Sequence, residues 1–438
     1  MASTYLTKTN SGTGSETKAT FSAWIKISNF GDDNTIFREY ESSGNYISIK
    51  LKSGGIEVYG QNNSSAFVNV KTTRVLRDFN AWYHVVVAID STQGTAANRI
   101  KIYINGVQET VLSSTTYPSS SLNCKINQNS EVQTIGGAGS SEYFDGSLSH
   151  VHWVDGTAYA ASTFGSTDST TGEWKINTSP SVTYGTNGFF ILKDGNTITD
   201  SSPNSNNFSL GGGTLTKTED CPSNVFATIN PLYYSSTGLL NGNVTATSTG
   251  NSHKNYHSTI AVDSGKWYAE MKVNSWNGSN NIMFGIVADS WDNINKTSPG
   301  DNFAGNASTG IGYGSNGQKI IANSASSYGN SFTTGDILGI ALDLTNNKLY
   351  FSKNGTYQNS GVPTSGATGT GAIDVPSGFT RLITFSHYGS QSCSMNFGNG
   401  YFGTTAVSSA GSNASGIGIF EYDTPTGYTA LSTKGLNE

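Results

Sequence analysis

Two stretches decide how this chain reads: "RIKIYINGVQ", from Arg99 to Gln108, and "NKLYFSKNGTY", from Asn347 to Tyr357. Each follows a more apolar run, "YHVVVAID" in the first case and "DILGIALDL" in the second. Val85, Val87 and Ile89 share one parity, as do Ile100, Ile102 and Ile104, with Lys101 and Tyr103 opposite. A period of two predicts strands with one buried face. Asn105-Gly106 and Asn354-Gly355 supply residues that tolerate positive φ, the chemistry of a tight hairpin. The chain therefore writes the same hairpin twice, far apart.

Outward from these hairpins, short strand-like runs separated by turn residues continue to both ends, with no sustained helical period. Many short strands with Gly-rich turns predict an all-β protein of antiparallel β-sandwiches. At 438 residues the chain is long for one domain. Composition predicts a first sandwich over 1–165 and a Ser/Thr/Gly-rich connector with one or two strands over 166–224. A second sandwich follows over 225–438, with a docked C-terminal tail.

Only 12 % of residues are charged, whereas 35 % are hydrophobic and 11 % aromatic. That is enough apolar mass for packed cores, unlike a disordered chain. A net charge of −6 without a basic stripe argues against nucleic acid as a partner. The start lacks the apolar stretch of a signal peptide, and no run approaches membrane-spanning length, so we expect a soluble protein made in a cytoplasm. Cys124, Cys221 and Cys393 are dispersed and odd in number, which gives neither a disulfide framework nor a thiolate zinc site.

"TFSAWIKIS", "AWYHVVVAID", "NRIKIYINGVQ" and "FDGSLSHVHWVDGTAYAASTFG" resemble a laminin G-like, concanavalin A-like jelly roll. "SGKWYAEMKV", "IMFGIVADS", "GIGYGSNGQK", "GDILGIALDLTNNKLYFSKNG" and "MNFGNGYF" are similar to a SPRY domain. The words "DSTTGEW", "YGTNGFF", "CPSNVFATINPL" and "TPTGYTALSTKGLN" resemble a tailed-phage virion protein type, frequent among marine phages, that joins the two modules. This resemblance implies a non-enzymatic virion protein, either a tail-fibre component or a head decoration. Its partners would be other virion proteins and copies of itself. A carbohydrate-binding host-attachment adhesin is the alternative, and a glycan hydrolase the third reading.

Concanavalin A-like folds also house glycoside hydrolases, which place two carboxylates across the scissile bond. "REYES" puts Glu39 and Glu41 at strand spacing but lacks the accompanying aspartate, so a solvated strand face is expected. His150 and His152 have the i, i+2 spacing of a metal pair, with Val151 and Trp153 opposite. No cysteine or carboxylate cluster completes a ligand set, so they read as a polar strand face. His253 and His257 read as loop residues. Asp145 and Asp155 are weak calcium candidates, because calcium takes six to eight oxygens and each Asp precedes a turn glycine. No cofactor is expected. Ligand contacts are placed on loops at one end of the second sandwich, at Trp276, Asp289, Trp291, Asp292 and Asp301. There, exposed rings would stack on sugars and carboxylates would bind hydroxyls. The opposing reading is that the tryptophans fold back onto the core.

Overall fold

A computed structural model describes residues 3–30, 33–139, 141–193, 195, 197–233, 238–249, 253–278, 282–289, 303–306 and 309–437. Strand accounts for 45 % and helix for 4 %, so the protein is all-β. It divides into two compact units, Met1–Lys217 with Cys221–Ser223, and Thr218–Asp220 with Asn224–Glu438.

In the first unit, one sheet runs in the order Leu112–Thr116, Ser65–Thr72, Gly55–Asn62, Asn45–Lys52, Asn34–Ser42, Val132–Ile135, Tyr5–Thr9 and Ser209–Gly212. The other runs Phe189–Ile191, Gly146–Asp155, Lys18–Ile27, Trp82–Asp90, Ile100–Ile104 and Val107–Gln108. Between them lies a core that includes Phe21, Ile25, Phe37, Ile49, Val85, Val87, Ile102 and Trp153. Part of this unit comes from 166–224, the stretch whose composition marks a connector. Phe189–Ile191 pairs with Gly146–Asp155, and Ser209–Gly212 pairs with Tyr5–Thr9.

The second unit repeats the plan. One sheet runs Leu239–Leu240, Thr245–Ser248, Gln391–Asn396, Lys266–Ser275, Ile337–Asp343, Lys348–Lys353 and Thr356–Tyr357, with Ile373–Asp374 and Thr429–Ala430 paired off this path. Its partner runs His253–His257, Arg381–Tyr388, Met283–Ala288, Ile311–Gly314, Gln318–Ile321 and Ser324–Ser327. Met271, Phe284, Ile340, Phe351, Phe385 and Met395 pack between them.

The two hairpins form as their pattern predicts. Val85, Val87 and Ile89 lie opposite Ile104, Ile102 and Ile100, while Leu338, Ile340 and Leu342 lie opposite Lys353, Phe351 and Leu349. The turns Asn105-Gly106 and Asn354-Gly355 all have positive φ. Each asparagine also reaches back across the sheet: Asn105 Oδ1 accepts the His84 N–H at 2.8 Å, and Asn354 Oδ1 accepts that of Ile337 at 2.8 Å.

The expectation of a single buried face fails in both apolar strands. Val86 is fully buried although it points away from Val85 and Val87, because Val154, Ala161, Phe164, Tyr184 and Phe190 cover the sheet's outer face. In the second unit, Phe226, Phe420, Tyr428 and Ala430 cover Tyr268, Ala341 and Tyr350 in the same way. The C-terminal segment supplies Phe420, Tyr428 and Leu431 to the buried residues of this unit.

Candidate functional sites

The buried face of the Tyr5–Thr9 strand continues beyond Leu6 into polar residues. Lys8 is paired with Gln133, which is paired with Glu39, so the three lie in a row across neighbouring strands. Glu39 is 1 % exposed and accepts from Asn10 Nδ2 (2.9 Å), the Gln128 N–H (3.1 Å) and Gln133 Nε2 (2.9 Å). Burial pushes its carboxyl up to about 7. The solvated-face reading therefore fits Glu41, which is exposed and paired with Lys125 at 3.0 Å, but not Glu39. These carboxyls do not work as a pair across an open cleft.

Glu270 is its counterpart in the second unit. It is fully buried, and its oxygens accept the N–H groups of Glu421 (2.8 Å) and Tyr422 (2.9 Å). Tyr268 Oη and Asn396 Nδ2 complete the shell at 3.2 and 3.3 Å. Burial again raises the carboxyl to about 7. This carboxyl clamps the tail onto the sheet. Sequence reasoning missed it, because "WYAEMKV" shows only a polar residue inside an apolar strand.

The histidines also depart from expectation. A β-bulge interrupts the Gly146–Asp155 strand between Ser149 and His152, and His150 takes φ 48. The extra residue breaks the alternation that would align the pair. His152 is 2 % exposed, its ring lies 3.9 Å from that of Phe190, and its Nδ1 is 2.9 Å from Tyr184 Oη. It is an interior residue rather than part of a polar face. Burial holds it well below the ordinary histidine range and lowers His84 to about 3. His253 and His257 belong to a strand, not a loop, and His257 is buried against Tyr233.

Asp145 and Asp155 bracket the ten-residue strand Gly146–Asp155. At about 3.3 Å per residue they stand roughly 30 Å apart and cannot share an ion. Asp145 accepts from Asn29 Nδ2. Asp155 is consumed by three backbone N–H groups, from Ser15 (2.7 Å), Thr186 (3.1 Å) and Asn187 (3.0 Å). Among the described residues, no cluster of His, Cys, Asp or Glu could hold a metal.

Of the second sandwich's ligand candidates, Trp291, Asp292 and Asp301 lie outside the described residues. Trp276 is half-buried against the core, and its backbone N–H donates to Thr334 Oγ1 at 2.9 Å. Asp289 is exposed. These two do not share one end of the sandwich. Asn277, beside Trp276, donates to the Tyr388 carbonyl, whereas the Asp289 N–H donates to that of Thr380. Tyr388 and Thr380 stand at opposite ends of the Arg381–Tyr388 strand, some eight residues and roughly 26 Å apart.

Residues 2–163 match the description "Concanavalin A-like lectin/glucanases superfamily" in its laminin G form, and residues 266–400 match the SPRY domain. No curated protein matches the chain. Among solved structures, a human SPRY domain is 15 % identical over 35 % of this chain and 90 % of its own, with a TM-score of 0.27. A heptameric SAP-like pentraxin from Limulus polyphemus is 17 % identical over 43 % of this chain and 88 % of its own, with a TM-score of 0.29. The chain thus carries a laminin G-like, concanavalin A-type sandwich and a SPRY domain, two typically non-catalytic domain types that suggest a binding or adhesion module.

Proposed function

We propose that this is a non-enzymatic structural protein of a bacteriophage virion, displayed on the particle surface as a tail-fibre component or head decoration. Its partners are other virion proteins and further copies of the same chain. One observation carries the reading: the words that resemble the phage protein type are those that seal the two sandwiches. In "TGEW", Trp174 Nε1 donates to His84 Nδ1 at 3.0 Å. In "YGTNGFF", Tyr184 bonds His152, and Asn187 Nδ2 donates to the carbonyls of Gly12 (2.8 Å) and Asn127 (3.1 Å). "CPSNVFATIN" contributes Phe226, and "TPTGYTALSTKG" contributes Tyr428 and Leu431, all 0–1 % exposed. A chain that covers its own sheet faces leaves strand edges and loops for assembly, which suits a durable particle component.

The non-enzymatic part of the reading is supported by Glu39, whose oxygens are occupied by interior donors. Antibody labelling of purified phage particles tests the assignment. Signal at tail or head is expected, and particles without the protein would overturn it. Incubation with host polysaccharide and common β-glucans should release no reducing ends. Host-glycan attachment is the second reading, favoured by the partly exposed ring of Trp276 at a loop start.

A further inference from the structure

Lys8, Asn10 and Glu39 meet inside the first unit in one hydrogen-bonded row. The alternation "YLTKTN" sends Leu6, Lys8 and Asn10 to the buried side. Lys8 is 7 % exposed, Asn10 2 % and Glu39 1 %. Lys8 Nζ donates to Asn10 Oδ1 at 2.9 Å, so the amide carbon, Cγ, lies one covalent bond beyond the atom that the amine touches. The other side of the same amide, Nδ2, lies 2.9 Å from Glu39 Oε1 and 3.0 Å from the Gln128 carbonyl. An amine, a primary amide and a carboxylic acid thus stand in sequence within a core that also holds Leu6, Phe37, Ile135 and Trp153.

These are the reactants and the proton carrier of a transamidation. Burial lowers the Lys8 amine to about 8, with the Glu39, Asp200 and Asp155 carboxylates pulling the other way. The Glu39 carboxyl rises to about 7. Near neutral pH a fraction of the amine is an uncharged nucleophile and a fraction of the carboxyl is a proton donor. Holding the two side chains within hydrogen-bond distance replaces a bimolecular encounter with an intramolecular one.

We propose that Lys8 and Asn10 join through an intramolecular isopeptide bond, with Glu39 as the residue that moves the proton. The Nζ lone pair attacks Asn10 Cγ, forming the C–N bond. Glu39 gives its proton to Nδ2, the Cγ–Nδ2 bond breaks, and the nitrogen leaves as ammonia. The proton shed by Nζ returns to Glu39, so the acid is regenerated and nothing is oxidised or reduced. The bond joins neighbours two apart on one strand, so it does not staple distant strands. It removes a buried ammonium from the core and fixes the exit of the Tyr5–Thr9 strand.

The test is a peptide map of the purified, folded full-length chain, denatured and digested with trypsin. An acylated Lys8 resists trypsin, so a peptide running through Lys8 to Lys18 is expected, lighter by one ammonia, with fragment ions that link Lys8 to Asn10. Cleavage after Lys8 overturns the proposal. That includes the case where ammonia is lost but Lys8 is still cut, because Asn10 cyclising onto Ser11 would give that pattern. In Glu39→Gln, whose fold is checked by circular dichroism, cleavage at Lys8 and retention of the ammonia are expected. An equally linked Glu39→Gln would remove Glu39 from the reaction. Should that variant not fold, Lys8→Met serves as the unlinked mass standard, and the wild-type map decides alone.

Discussion

Each sandwich covers the outer face of the sheet that holds its own Asn-Gly hairpin, but by a different route. In the first, Trp174 packs on the Asn105-Gly106 turn so closely that a Cβ on Gly106 would meet its ring at 2.4 Å. In the second, Tyr422 packs on the Asn354-Gly355 turn, and a Cβ on Gly355 would meet its ring at 2.7 Å. The first cover is held by a neutral histidine: His84 accepts from Trp174 through Nδ1, lies 2.9 Å from Ser22 Oγ through Nε2, and stacks on Trp24. The second is held by the Glu270 carboxyl, which grips two backbone N–H groups. The repeated hairpin is therefore a docking point as well as a core element. Each cover carries a polar anchor, a histidine in one unit and a carboxyl in the other.

The comparison breaks most visibly by removing one cover. Deleting 405–438 takes away Phe420, Tyr428 and Leu431, each at most 1 % exposed, and the Thr429–Ala430 strand. At about 1.5–3 kcal/mol per large buried side chain, the loss rivals the whole stability of a domain. Calorimetry of the truncated chain should show the second unit's transition gone and the first retained. Two surviving transitions would mean the tail is ornamental.

Acidification separates the anchors next. Burial lowers His257 to about 3 and His387 to about 4. An unfolded histidine takes its proton near 6.5, so stability falls as pH drops below that value, by about 2 kcal/mol per residue at pH 5. Glu270 has the opposite sign: folded it binds a proton near 7, unfolded near 4.5, so its contribution is lost as pH rises through 7. Between pH 7 and 5 it returns about 2 kcal/mol and offsets one histidine. Glu270→Gln removes that offset, so the second unit's loss over this range should roughly double in pH-dependent urea titrations. An unchanged slope would show that Glu270 does not titrate there. In the first unit Lys8, folded near 8 and unfolded near 10.5, adds stability as pH rises through that interval. A linked Lys8 would abolish that rise.

Smaller and sharper is the paired glycine test. Gly106→Ala and Gly355→Ala each combine a positive φ, 81 and 79, with an aromatic ring in the way. Each should cost about 1–3 kcal/mol in chemical denaturation. A tolerated Gly355→Ala beside a damaging Gly106→Ala would show that Tyr422 yields where Trp174 cannot.

The smallest effect on stability is expected at Trp276. Trp276→Ala should cost about 1 kcal/mol or less beyond its partial burial and leave the fold intact. If the second functional reading holds, adsorption of particles to host cells should weaken. Unchanged adsorption leaves this ring a partial lid.

Much of this was legible in advance. Alternation over 83–90, 100–104 and 337–353 and the two Asn-Gly turns gave the hairpins and their inward faces, because side-chain direction in a strand follows from local geometry. At the candidate sites legibility ended sooner. Trp276 and Asp289 look like neighbours in a list of loop residues, yet the intervening strand carries them to opposite ends of a sheet. Asp145 and Asp155 are parted by a ten-residue strand in the same way. Strand length converts sequence separation into distance, and a list of candidates does not perform that conversion.

By itself, then, the sequence determined an all-β chain of two sandwiches built on one repeated hairpin. Tertiary structure decided which polar residues are interior. Glu39 and Glu41 have the same local pattern, but only Glu39 faces the row formed by Lys8 and Gln133 from neighbouring strands. His152 is buried because a bulge shifts its strand and a segment some thirty residues later, Tyr184–Phe190, closes over it. Val86 is buried because the same cover arrives from outside the strand's own pattern. Burial of an outer face depends on a partner distant in sequence, and no local period encodes that partner.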